Sequence, residues 1–209
     1  MRQVFLERAD FKSPAFKAWF KKSKVVEPDG TPAVVYHGTN SLGDFQVFRQ
    51  NNDIGHHFGT AKAANDRLDF RDDQEVDNEY LGGTKMQQKF GGQRIYPVYL
   101  SIQKPFEMPD MGHWEPNDVV EQLEEQGFIT GEDDKRYRKE IMAVLTTGYR
   151  ARGMEAARKL LQKLGFDGIR YQNESEDQGS TSWIALDPRQ IKSIHNRGTF
   201  DPRRGSIME

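Results

Sequence analysis

Apolar residues recur along the chain in two rhythms, and the change between them divides it into three stretches. In the first, Phe16, Trp19 and Phe20 fall at i, i+3 and i+4 behind Ser13-Pro14, the N-cap and first position of a short helix. Val25-Val26 and Val34-Val35 flank the Asp29-Gly30 turn and predict a hairpin with a long loop. Ala33 to Tyr36 is β-branched and aromatic enough for a short buried strand. His37 is therefore expected at the strand's end, where a polar loop broken by Gly38 opens, with Phe45 and Phe48 anchoring that loop from below. His56-His57-Phe58 reads as a short extended piece and Thr60 as the N-cap of a helix through about Phe70. Residues 71–92 hold charges and glycines without a period and read as a mobile insertion. Ile95 to Ile102 predicts a central strand that stops before Lys104-Pro105.

From residue 115 to 164 the period becomes helical: Val119, Val120 and Leu123 share one face, then Tyr137, Ile141, Val144 and Leu145, then Ala156, Ala157, Leu160, Leu161 and Leu164. Glu121, Glu124 and Glu125 are a solvated face. Gly165 sits where a helix ends. Beyond it come strands at Ile169-Arg170-Tyr171 and Trp183 to Leu186, separated by an acidic loop from Asn173 to Gly179. Asp187-Pro188 turns the chain, and Ile191 to Ile194 returns it. Strands at both ends with helices between them predict a single α+β domain over residues 1–209 rather than alternating βαβ units.

A chain of 209 residues can bury a sizeable core without staples. It contains no cysteine, which excludes disulfides, thiolate metal sites and a thiol nucleophile. Thirty Lys plus Arg against 32 Asp plus Glu leave a net charge of −2, so there is no global basic field for nucleic acid. MRQVFLERADFKS lacks the apolar core of a secretory leader, and no run approaches the roughly 20 apolar residues of a membrane span. A soluble, cytoplasmic, monomeric protein is expected. His56 and His57 point apart if they are strand neighbours, and no third ligand is evident, so no metal is expected.

Function enters through the tripeptide His37-Gly38-Thr39. A histidine at a strand end stands where rigid scaffold meets loop, and a glycine there lets a planar ring approach the backbone. The segment from Trp19 to Thr39 resembles the opening of the ADP-ribosyltransferase domains of phage polyvalent proteins and bacterial polymorphic toxins, relatives of diphtheria toxin and the poly(ADP-ribose) polymerases. Further likenesses follow in order: Gly55 to Thr60 with Ala63-Ala64, Tyr96 to Ser101 with Lys104-Pro105, Gly165 to Ile169, and Gln190 to Ser193 leading to Asn196 and Asp201. The resemblance spans nearly the whole chain. It implies a split antiparallel sheet with an N-terminal helix and a helical insertion. It also implies transfer of ADP-ribose from NAD, the substrate that serves as cofactor, to an unknown acceptor, protein or nucleic acid, by a toxin or effector with a possible immunity partner. An NAD glycohydrolase, or an inactive NAD- or partner-binding module, is the alternative.

The same resemblance distributes roles. His37 would bond the ribose hydroxyls, the Gly38 backbone would clamp the nicotinamide carboxamide, and Thr39 would assist. His57 stands where the family usually has a tyrosine that stacks on nicotinamide, with Phe58 beside it as a substitute. Ser182 stands where poly(ADP-ribose) polymerases carry the catalytic glutamate, and a serine supplies no charge. The carboxylate is then expected from the acidic loop, from Glu176, with Glu174 as a possible second. Glu174-Ser175-Glu176 and Ser180-Thr181-Ser182 also have the form of motifs from arginine-specific transferases, but in reversed order. Asn173, Gln178 and Gln190 are secondary candidates, and Arg197, Arg203 and Arg204 form a small basic cluster. Residues 71–92 and the helical segment are where acceptor specificity is expected.

Overall fold

The computed structural model describes residues 8–41, 43–49, 53–76, 93–145 and 150–209. Helix α1, Pro14–Phe20, starts where the Ser13 hydroxyl accepts from the Phe16 N–H and stops at Lys21, whose φ is +53°. Its buried face, Phe16, Trp19 and Phe20, packs with Tyr99 and Phe200 in one aromatic cluster. Strand β1 is Val35–Thr39, β2 is His56–Phe58, and helix α2 is Ala61–Val76. Then come β3 (Arg94–Leu100), β4 (Pro105–Glu107), α3 (Pro116–Glu125), α4 (Glu132–Leu145), α5 (Arg150–Lys163), β5 (Gly168–Gln172), β6 (Thr181–Ala185) and β7 (Ile191–Ser193).

Two sheets result, β1-β3-β7 and β2-β6-β5-β4, antiparallel except where β4 runs parallel to β5. Tyr36 and Gly59 exchange both backbone hydrogen bonds, at 2.9 and 3.1 Å, and so join one sheet to the other. Between the sheets lies a core of Val35, Val98 and Leu100 against Phe58, Trp183 and Ala185. The other face of the four-stranded sheet, with Phe106, Ile169 and Ile184, carries the three helices of the insertion through Val120, Leu123, Met154, Ala157 and Leu161. The α+β class, the split sheet, the N-terminal helix and the helical segment are as expected.

Several boundaries differ. Strand β1 does not end before His37; it continues through the tripeptide, because His37, Gly38 and Thr39 pair with Tyr96, Ile95 and Arg94. The hairpin before it shrinks to one bridge between Val26 and Pro32, closed by Glu27 N–H to Thr31 C=O with Gly30 at φ +82°. Residues 71–76 are not part of an irregular insertion, since α2 runs on to Val76. The remainder of that expected insertion, 77–92, lies outside the described residues. Strand β3 does stop before Lys104-Pro105, and Pro105 then opens a further strand, β4, an edge strand that tolerates the missing N–H. The C-terminal segment is tied down by buried Lys192, whose ammonium donates to the carbonyls of Arg204 and Ser206, and by Asn196 donating to Ile207.

Candidate functional site

Pro97 has no N–H, so Tyr36 opposite it is a non-hydrogen-bonded pair and turns its own N–H and C=O to the other edge of β1. Alternation gives Gly38, two residues on, the same orientation. Its backbone donor and acceptor therefore face the edge where the sheets part. The expectation that a missing side chain at Gly38 makes room for a ligand is corrected: a Cβ there would meet the Ala64 carbonyl oxygen at 2.3 Å, so the space belongs to α2. His37 places Nδ1 2.8 Å from the His57 carbonyl. A carbonyl only accepts, so that nitrogen carries a proton. Its ring packs edge-on to Phe48 at 5.1 Å. Thr39 is partly exposed, and its hydroxyl accepts from the Ser41 N–H.

On β2, His56 and Phe58 turn into the core while His57 lies on the opposite face with Ser182 and Tyr171. Phe58 is 2% exposed and packs on Phe48 and His37, so it is not available as the stacking surface expected of it. The His57 ring is held instead by Trp114, edge-on at 5.6 Å, and by the Tyr171 hydroxyl, 3.2 Å from Nδ1. Burial, chiefly, pushes the Tyr171 phenol up, so it stays protonated beside that nitrogen. Nε2 of His57 then faces Asp53 at 3.7 Å. Burial works to raise the Asp53 carboxyl, but the nearby His57 ring, the Ile54 N–H that donates to it at 2.8 Å and the Arg150 charge together outweigh it and hold it at about 2. Burial, aided by the neighbouring Arg158 charge, drives His56 down to about 4, so it is neutral at pH 7.

The acidic loop between β5 and β6 closes on the same face. Ser182, expected to touch the cofactor, is 2% exposed and is spoken for: its hydroxyl accepts from the Asn173 amide at 3.0 Å, and it sits opposite Tyr171 in the β5–β6 register. The second amide hydrogen of Asn173 goes to Glu176 Oε2 at 3.1 Å, and Arg67 of α2 meets Oε1 at 3.1 Å. The structure thus brings His37, His57, Ser182 and Glu176 into one chain of contacts, running from the His57 backbone through its ring to Tyr171, across the β5–β6 pair to Ser182, and on to Asn173. Glu174 stays outside this chain: it is exposed, and its N–H donates to Asp110. Gln190 bonds the backbone of Ser101 and Asp167 within the scaffold.

Sequence reading gave little weight to Asn173 and none to Tyr171, Trp114, Arg67 or Asp53. A signal existed for Arg67, which follows Thr60, Ala63 and Ala64 at helical spacing on the face toward the site. For Tyr171 the signal lies in pairing with Ser182, which only the register reveals. A cleft of about 680 Å³ opens elsewhere, lined by Lys24, Val35, Gly59, Arg170, Thr181 and Trp183. It belongs to the other face of β5 and β6, where the Arg170 guanidinium lies 5.6 Å from the Trp183 ring, and it includes neither His37 nor Glu176.

Among the described residues no group of three His, Asp or Glu could hold a metal ion, and no helix is long and apolar enough to cross a membrane. A family model described as the ADP-ribosyltransferase in polyvalent proteins matches residues 27–200. The chain belongs to this family. No curated protein and no solved structure matches it. An ADP-ribosyltransferase draws its ADP-ribose from NAD, and the matched span runs from the bridge before β1 to Phe200, thereby including both sheets, all the residues of the contact chain and the helical segment.

Proposed function

We propose that this protein transfers ADP-ribose from NAD to a macromolecular acceptor, protein or nucleic acid, releases nicotinamide, and acts as a phage or bacterial toxin or effector. The observation that carries the chemical part is the Glu176 carboxylate, tied through Asn173 to Ser182 on β6. A loop glutamate reaches the strand position where the related polymerases keep theirs. The effector role is supported by the resemblance to toxin and phage domains.

In this reading the bond between ribose C1′ and the nicotinamide nitrogen breaks, and its electron pair leaves with nicotinamide, which becomes neutral. Positive charge develops on the ribose ring, where Glu176 offsets it. The acceptor's nucleophilic atom then bonds C1′ and loses its proton. The Gly38 N–H and C=O take the carboxamide, His37 bonds a ribose hydroxyl, and the His57 ring, fixed by Tyr171 and Trp114, lies against nicotinamide. A protonated His57 would repel the pyridinium, so the neutral ring is the working form. The cationic Arg67 beside Glu176 is suited to the diphosphate.

The test is nicotinamide release from NAD by purified protein, beside His37→Ala and Glu176→Gln. Release by the wild type with loss in both folded variants is the expected result. Labelling of a macromolecule in host extract then separates transfer from hydrolysis to free ADP-ribose. A folded wild type that binds NAD but releases nothing even with extract would leave a binding module instead.

A further inference from the structure

Asn173 is 2% exposed, and every polar group of its side chain is committed. Its Oδ1 accepts from the N–H groups of Ser175 at 3.1 Å and Glu176 at 2.8 Å, an Asx turn that folds the acidic loop. Its amide nitrogen does something separate, donating one hydrogen to Ser182 Oγ and the other to Glu176 Oε2. Its backbone closes the loop's far end, with N–H to Ser180 C=O and C=O from Gly179 N–H. The loop is also clasped from α2, since the Thr60 hydroxyl donates to the Asp177 carboxylate and the Asp177 N–H to Asp66.

We propose that Asn173 is the positioning residue of the site: it suspends the Glu176 carboxylate from β6 by Oε2 and so fixes the orientation in which Oε1 meets Arg67. This rests on the transferase reading above. A glutamate on a loop would otherwise sample many rotamers, and a small misplacement of a charge-stabilising group costs heavily in rate. The two atoms of the Asn173 amide have different duties, and that makes the proposal testable apart from folding.

Asn173→Asp keeps the oxygen that folds the loop and replaces the donor by a second carboxylate oxygen. At pH 8 its kcat for nicotinamide release should fall about 100-fold with KM for NAD nearly unchanged and Tm close to wild type. As pH falls, kcat relative to wild type should recover, because two facing carboxylates share a proton and the shared proton restores a donor. Asn173→Ala should lose kcat at every pH. If Asn173→Asp retains wild-type kcat while Glu176→Gln is inactive, or if its loss falls on KM, the positioning role is wrong and the transferase reading survives. A loss without acid recovery would mark Asn173 as a loop-folding residue only. An inert wild type removes both readings together.

Discussion

A Cβ added to Gly38 would stand 2.3 Å from the carbonyl oxygen of Ala64 and 3.2 Å from Leu68 Cγ. The strand that presents the site and the helix that follows β2 therefore touch backbone to backbone. The contact is what lets α2 deliver Arg67 to Glu176. Gly38→Ala should destabilise the fold by about 1–3 kcal/mol through overpacking and abolish nicotinamide release, because either β1 or α2 must shift. Chemical unfolding together with the release assay checks it. Unchanged stability with unchanged activity would mean that the helix seat is soft.

Arg67 and Glu176 form an ion pair whose side chains are 50% and 15% exposed. Such a pair contributes at most about 1 kcal/mol to stability. Arg67→Gln should accordingly leave Tm within a few degrees of wild type. Its effect should appear as a raised KM for NAD, with less loss of kcat than Asn173→Asp, since Asn173 still holds the other carboxylate oxygen. A collapse of kcat at constant KM would shift the positioning role to Arg67.

The Tyr171 hydroxyl meets the His57 ring at 3.2 Å in a buried place, opposite Ser182 on β6. Tyr171→Phe removes that bond and leaves the buried ring nitrogen of His57 without it, at a cost of about 1–2 kcal/mol. The His57 ring loses its fixed orientation at the same time. Urea unfolding should show the first effect and a higher KM for NAD the second.

His56 is 4% exposed, and its folded value of about 4 lies below the ordinary 6.5. The unfolded chain therefore binds this proton first, and stability must fall as pH drops from 6.5 to 4 and level off below. The loss should reach about 2 kcal/mol by pH 5 and about 3 by pH 4. Unfolding midpoints for wild type and His56→Gln, measured between pH 7.5 and 4, should converge as pH falls. Parallel curves would show that His56 is not the group responsible.

Local order made much of the fold legible. Ser13-Pro14 and the Phe16, Trp19, Phe20 stripe define α1, and the apolar faces around Leu123, Ile141 and Leu161 define the three helices, because a helix writes its burial into neighbouring positions. The family resemblance points to Glu176, since it places Ser182 where the polymerases keep their glutamate and the acidic loop lies close by in the chain. Phe58 was misjudged because a three-residue strand gives too few alternations to tell its core face from its open one.

By itself the sequence determined the α+β class, the run of elements, the family and the pair His37 and Glu176 as the residues to examine. Tertiary structure decided which of the neighbouring residues act with them. Arg67 lies 109 positions from Glu176, Tyr171 lies 114 from His57, and the space at Gly38 is filled by Ala64 rather than by a ligand. These are contacts between elements, set by sheet register and by where α2 seats. Propensity and periodicity act over a few residues, so no local pattern encodes which side chains meet across the gap between strands.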